Sequence, residues 1–210
     1  MNLAEEFNQW KRRYSSMKMS DFAAVTAVDP HEETALAYQY PLPLIRTNFV
    51  KRFLLKRGIP ANEYYHMDVF DCARSPQSHV GPFVNAIDFL VPDGTIVLAA
   101  RDGAIIDIKE DSSEWGDNPR FRDKLNYVTV DHGNGEFSQY CHLRKGSVAA
   151  LGLSLNRLVS AGQQIAVVGK TGWTDRDHLH FIVFKKVEGG DGFKSLKIQF
   201  IGSTDFDPSV

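Results

Sequence analysis

Cysteine is scarce in this chain of 210 residues, which has two, Cys72 and Cys141. A disulfide scaffold is therefore excluded as the main source of stability. A single bridge would need Cα atoms about 5.5 Å apart, and two free thiols are the expectation. No Cys-x-x-Cys pair exists to build a closed thiolate zinc site, and no His-Glu-x-x-His segment exists to build a helix-borne one. Apolar runs are short: none approaches the roughly 18–20 residues that cross a bilayer, so no membrane span is expected. Neither sign of charge is in excess, with 24 Lys+Arg against 26 Asp+Glu and a formal net charge of −2. That balance gives no reason to expect a nucleic-acid partner or an anionic membrane surface. The start, Met1-Asn2-Leu3-Ala4-Glu5-Glu6, lacks the basic and apolar regions of a secretory signal. The chain is expected to stay in the cytoplasm, to have had a leader removed, or to leave by another route. No segment repeats with a period of 20–50 residues, which excludes a solenoid or propeller.

What is present is ordinary in bulk, at 43% hydrophobic and 24% charged. Leu3, Phe7, Trp10, Tyr14 and Met17 recur at helical spacing with Glu, Lys and Arg between them, which predicts an amphipathic N-terminal helix. A second helix is expected over residues 49–57, capped by Thr47 or Asn48, ended by Gly58 and barred from continuing by Pro60. Pro30, Pro41 and Pro43 break residues 20–46 into loop with short pieces of structure. Beyond about residue 80 the pattern changes to short β-rich runs separated by Gly, Pro and Asp, over 86–91, 95–100, 104–108, 126–131, 136–143, 164–168, 179–184 and 196–201. Pro92-Asp93-Gly94 and His132-Gly133-Asn134-Gly135 have the turn chemistry that joins antiparallel strands. The charged stretch 110–124 reads as an exposed loop. The expected fold class is α+β and mainly β: a helical or irregular lead-in over 1–75, then an antiparallel β-sheet domain over 76–210.

Asp177-His178-Leu179-His180-Phe181 places two histidines at i and i+2 of a predicted strand, on one face. Asp88 lies inside the apolar run Ala86-Ile87-Asp88-Phe89-Leu90-Val91, where an unpaired charge is very unfavourable. It must be satisfied by backbone N–H groups or by a cation. Taken singly, His79 reads as a loop histidine and His180 as a satisfied core histidine. Taken together, two histidines and a carboxylate make three protein ligands with a fourth position left for water, the pattern of catalytic zinc. His142 and His178 are then candidates for moving protons beside the ion. By strand alternation His142 shares a face with Tyr140, and Cys141 faces away from it. His31, His66 and His132 have no such context.

Four blocks resemble, in order, those of the lysostaphin/LytM-type zinc metallopeptidase family, the β-lytic endopeptidases that cut peptidoglycan peptides. They are Ser78-His79-Val80-Gly81 with Asn85-Ala86-Ile87-Asp88-Phe89; Pro92-Asp93-Gly94-Thr95-Ile96-Val97-Leu98-Ala99-Ala100 with Asp102-Gly103; Asp131-His132-Gly133-Asn134-Gly135 with Tyr140-Cys141-His142-Leu143; and residues 161–172 with His178-Leu179-His180-Phe181. The resemblance implies a largely antiparallel sheet with a substrate groove walled by loops. It implies one Zn2+ held by His79, Asp88 and His180, with His142 and His178 as catalytic histidines. It implies a peptidoglycan or other peptide substrate, and hence a place in the cell envelope or outside the cell.

Two features depart from the family's pattern. Eight residues separate His79 from Asp88 where three are usual, and if His79 falls short Asn85 is the nearest polar side chain. The approach to His178, Trp173-Thr174-Asp175-Arg176-Asp177, is longer and more polar than usual and is expected to reshape the groove. Two other readings stay open. One is a non-catalytic cell-wall-binding or hydrolase-regulating module, which would be expected to have lost ligands. The other is a zinc D-Ala-D-Ala carboxypeptidase, which would be expected to carry a glutamate shortly before the last histidine.

Overall fold

The computed structural model describes residues 29–44, 54–187 and 192–202. The predicted N-terminal helix lies outside these residues, as does most of the second helix. Residues 54–56 are helical, and Gly58 (φ +82°) takes the left-handed conformation expected of a residue that ends a helix.

The strands are β1 (Tyr64–Met67), β2 (Phe70–Ala73), β3 (Ile87–Phe89), β4 (Ile96–Leu98), β5 (Gly103–Lys109), β6 (Trp115–Gly116) and β7 (Tyr127–Asp131). They continue with β8 (Glu136–Cys141), β9 (Leu158–Val159), β10 (Gln164–Val167), β11 (Gly172–Trp173), β12 (Leu179–Lys186) and β13 (Phe193–Ser195). One antiparallel sheet runs β1-β2-β3-β12-β8-β7-β5-β9, with β13 also paired to β12. Two small sheets pair β4 with β10 and β6 with β11. The fold is thus mainly β and antiparallel, as expected from the sequence.

The main sheet has two distinct faces because side chains alternate along each strand. Phe89, Val128, Val130, Tyr140, Leu179, Phe181 and Val183 point to one side and form the main core. Val97, Ile165, Ala166 and Val168 of the β4/β10 region cover that side, together with Tyr38 and Leu42. Burying each such side chain contributes about 1.5–3 kcal/mol. Phe137, Ile182, Phe184 and Phe193 point the other way and form a smaller apolar cluster.

Four local expectations are corrected. The turn at Pro92-Asp93-Gly94 forms, with Thr95 N–H donating to the Pro92 carbonyl (3.2 Å), but it joins no hairpin. It carries the chain from β3 in the main sheet to β4 in the small one. The run 196–201 is not a regular strand: it runs parallel to the segment around Glu33 and Tyr38, held by single bridges from Lys197 and Phe200. Within the charged stretch 110–124, Trp115–Gly116 pairs with β11, and Pro119–Lys124 forms a 3-10 turn whose Asn118 cap accepts from the Arg120 N–H. The hairpin β1–β2 lies in the stretch read from sequence as a helical or irregular lead-in, yet β2 pairs directly with β3. The Gly133-Asn134-Gly135 turn does join β7 to β8 as expected.

Candidate metal centre

One row of cross-strand neighbours runs over the non-core face of the sheet. Ala73, Asp88, His180, Cys141, Tyr127 and Lys109 follow in register from β2 to β5. All six line a single groove of about 880 Å³. The apolar strand context of Asp88 that made its charge conspicuous in the sequence is therefore one-sided. Ile87 and Phe89 enter the core, while Asp88 faces the groove at 5% exposure.

Direct strand pairing brings Asp88 and His180 together, with Oδ1 to Nδ1 at 2.9 Å. His79 arrives from outside the sheet. A turn closed by His79 N–H on the Ser75 carbonyl (2.7 Å) and the 3-10 turn Gly81–Phe83 take up the long His79–Asp88 spacing. His79 Nε2 then lies 3.2 Å from Asp88 Oδ1 and 3.3 Å from His180 Nδ1. Asn85 turns elsewhere, its Nδ2 donating to the Ser195 carbonyl (3.2 Å).

These three atoms could hold a metal ion. A tetrahedral ion with bonds of about 2.0–2.1 Å sets its ligand atoms about 3.3–3.4 Å apart. The observed separations of 2.9, 3.2 and 3.3 Å are within a few tenths of that edge. Burial opposes ionisation of Asp88, but His79, His178 and His180 outweigh it and hold the carboxyl well below the usual carboxylate range. Burial pushes His180 down against its hydrogen bond to Asp88, favouring the neutral imidazole that a metal needs. Ser75 Oγ donates to the other Asp88 oxygen, Oδ2, and fixes the carboxylate plane.

His142 and His178 stand beside this trio, their ring centroids 4.4 Å apart. His142 sits 6.1 Å from His180, centroid to centroid, and His178 Nε2 lies 3.6 Å from Asp88 Oδ1. The placement of His142 corrects a sequence expectation. It has φ +61°, outside the strand region. This single left-handed residue reverses the alternation: Tyr140 and Leu143 both enter the core, while Cys141 and His142 both line the groove. Cys141 therefore does not face away from His142, and Tyr140 does not share its face. The two cysteines form no disulfide with each other, as expected, and both are buried.

The ring positions of both histidines are set from behind. His142 Nδ1 lies 2.6 Å from the Thr171 carbonyl. A carbonyl can only accept, so Nδ1 carries the proton and Nε2 keeps its lone pair. Burial, reinforced by His178 and His180, pushes the His142 pKa well below the usual imidazole value. His178 Nδ1 lies 3.2 Å from the Arg176 carbonyl, which fixes the same tautomer. Thr171 reaches His142 because Gly172 takes φ +83° against the Leu125 backbone, where a Cβ would approach Leu125 Cα to 3.0 Å.

Sequence reasoning missed three supporting residues. Ser75 carried no local signal. Thr171 lies within residues 161–172, which resemble the family pattern but give it no task of its own. Asn126 looked like the start of a strand, yet its side chain ties Ser112 to Leu143 beneath Thr171.

The chain resembles proteins of known family. A family model described as Peptidase family M23 matches residues 82–191, a span that holds Asp88, His142, His178 and His180, with His79 just ahead of it. The chain is 32% identical over 97 residues to Peptidoglycan DD-endopeptidase ShyA of Vibrio cholerae, covering 46% of this chain and 19% of that protein. It is 30% identical over 111 residues to Peptidoglycan DD-endopeptidase ShyB of the same organism, covering 53% and 22%. The matched segment thus spans about a fifth of the length of these curated relatives. Among solved structures, the catalytic domain of lysostaphin from Staphylococcus simulans has 23% identity and a TM-score of 0.38, covering 53% of this chain and 74% of that one.

Proposed function

Since this chain belongs to peptidase family M23, we propose that it is a zinc metalloendopeptidase that hydrolyses peptide bonds in peptidoglycan stem or cross-bridge peptides. The observation that carries this reading is the convergence of His79 Nε2, Asp88 Oδ1 and His180 Nδ1 beside a pair of buried imidazoles. His79, Asp88 and His180 would hold the ion; the surroundings of Asp88 favour its carboxylate and those of His180 its neutral imidazole. Zinc held there would supply Lewis acidity and would lower the pKa of a nearby water towards neutral.

The remaining chemistry belongs to the chain's own side chains. His142, with its Nδ1 proton committed to the Thr171 carbonyl, presents Nε2 as a proton acceptor to the attacking water. His178, with Nδ1 held by the Arg176 carbonyl, turns Nε2 towards the site. In its protonated form it steadies a developing oxyanion or delivers a proton to the leaving amine. The sheet face forms the groove floor, so an extended peptide lies across the row that includes Asp88 and His180. Peptidoglycan as substrate is supported by the names of ShyA and ShyB and by the groove, and extends from them to this chain only as part of the proposal.

Metal analysis combined with digestion of muropeptides tests the reading. His142→Ala and His178→Ala are expected to keep one zinc per chain and lose hydrolysis, whereas His180→Ala loses both. Full activity in His178→Ala would reject the role given to that residue.

A further inference from the structure

We propose that Arg122, which lies over the Trp173 ring at the groove wall, is a binding subsite for a single free carboxylate on the peptide substrate. The peptide nature of the ligand rests on the peptidase reading above; the carboxylate does not.

Four cationic side chains line the groove: Arg74, Lys109, Arg122 and Arg176. Three of them have evident occupations. Arg176 is neutralised by Asp175 through two hydrogen bonds, one of them Nε to Oδ1 at 2.8 Å. Lys109 Nζ donates to the Asp123 carbonyl. Arg74 lies over the Tyr65 ring at 5.5 Å and is engaged by a further partner as well. Arg122 lies 4.9 Å above the Trp173 ring, and among the described residues no carboxylate comes within 4.0 Å of its guanidinium nitrogens.

A guanidinium over an aromatic ring has N–H donors besides any that face the ring, and a carboxylate matches such donors two at a time. Burial pushes the Arg122 pKa down, the direction expected of a cation taken partly out of water without an anion to repay it. A carboxylate brought by the substrate would supply that anion. The surroundings also limit its charge. Asp117 and Asp123 line the same wall, and Asp117 Oδ1 accepts from the Trp173 indole N–H at 3.3 Å. With these two carboxylates beside Arg122, a singly charged ligand is repelled less than a polyphosphate chain. Trp173 itself opens the unusually polar approach to His178, so the departure from the family pattern has a physical use: it carries the platform on which Arg122 rests.

The test uses two end-blocked pentapeptides, Gly-Gly-Glu-Gly-Gly and its Gln counterpart, which differ only in the charge of one side chain. Each is titrated into the metal-free full chain while the Trp173 indole N–H is followed by NMR, with Trp173→Phe identifying the signal. The Glu peptide is expected to move that signal and to bind about tenfold more tightly than the Gln peptide. Arg122→Ala should erase the preference, and Arg122→Lys should keep part of it. Equal binding of the two peptides, a preference that survives Arg122→Ala, or no binding of either would overturn the subsite. The same pair is then compared for hydrolysis by the zinc-loaded chain. Hydrolysis with no preference for Glu refutes the subsite and leaves the peptidase reading intact. A binding preference with no hydrolysis of any muropeptide supports the subsite and refutes the peptidase.

Discussion

Replacing Asn126 should damage the protein in an order that size alone would not give. Asn126 is fully buried. Its Oδ1 accepts from Ser112 N–H (3.1 Å), and its Nδ2 donates to the carbonyls of Ser112 (2.8 Å) and Leu143 (3.1 Å). Its own main-chain N–H donates to Thr171 Oγ1 (3.1 Å), which in turn donates to the Leu143 carbonyl (3.1 Å). Asn126→Ala leaves the Ser112 N–H and carbonyl without these partners, while the Leu143 carbonyl keeps Thr171. Two orphaned buried groups at about 1–3 kcal/mol each give a loss of about 2–6 kcal/mol. A domain stable by about 5–15 kcal/mol survives most of that range. Asn126→Asp keeps the shape but turns a donor into an acceptor facing two carbonyls, and buries a charge. It should therefore be worse than Ala. Urea unfolding followed by circular dichroism measures both: with a slope near 2 kcal/mol/M, Ala lowers the midpoint by about 1–3 M, and Asp lowers it further. Because the same knot holds Thr171, whose carbonyl orients His142, hydrolysis should fall in the Ala variant even where it remains folded. A midpoint unchanged by Ala, or Asp milder than Ala, would refute this account of the knot.

Further expectations concern the site and the pH dependence of the fold. Ser75→Ala removes the hydroxyl that fixes Asp88 Oδ2, and zinc affinity measured by competition with a chelator should weaken by about 10–100-fold with little change in thermal stability. Chelator treatment of the zinc-loaded chain should lower its melting temperature, and Asp88→Ala should abolish that response; an equal drop in both proteins would show that the stabilising ion sits elsewhere. His132 titrates away from the site, with Nδ1 near the Asp102 carbonyl (2.8 Å) and Nε2 near Ser138 Oγ (3.0 Å). Burial holds its pKa below the usual imidazole value. The unfolded chain then takes up a proton at about pH 6.5 that the folded chain resists. Its stabilising contribution is complete above that pH and is lost as pH falls through the folded-state value. His132→Gln should flatten the fall in melting temperature between about pH 7 and 5; a parallel curve would contradict the assignment.

How far the sequence could be read depended on whether a signal was periodic or lay in a single dihedral angle. The strands β5, β7, β8, β10 and β12 were legible because alternating apolar residues mark a sheet with one face on a core. The pairing of Asp88 with His180 was not legible, since β3 and β12 are separated by most of the domain and meet only through tertiary register. The direction of His142 was misread for a specific reason. Alternation is a reliable guide until one residue adopts φ +61°, and a histidine gives no warning of that as a glycine would. The β1–β2 hairpin was missed because its runs are four residues each and carry His66 and Asp71 among their apolar positions. The proposed metal-binding trio could be suggested from residue types and order, but whether His79 reaches the other two across its long loop was decided only by the turns at Ser75 and Gly81–Phe83. Ser75 and Asn126 escaped notice because side-chain support from behind leaves no pattern in the linear order of residues.

Anomalous diffraction at the zinc edge, from crystals of the chain grown with one equivalent of zinc, addresses the central claim most directly. One peak is predicted, about 2.0–2.2 Å from each of His79 Nε2, Asp88 Oδ1 and His180 Nδ1, with His142 and His178 nearby but not bound to it. A peak held instead by His142 and His178, or one that leaves Asp88 without a bond to the ion, would contradict the account.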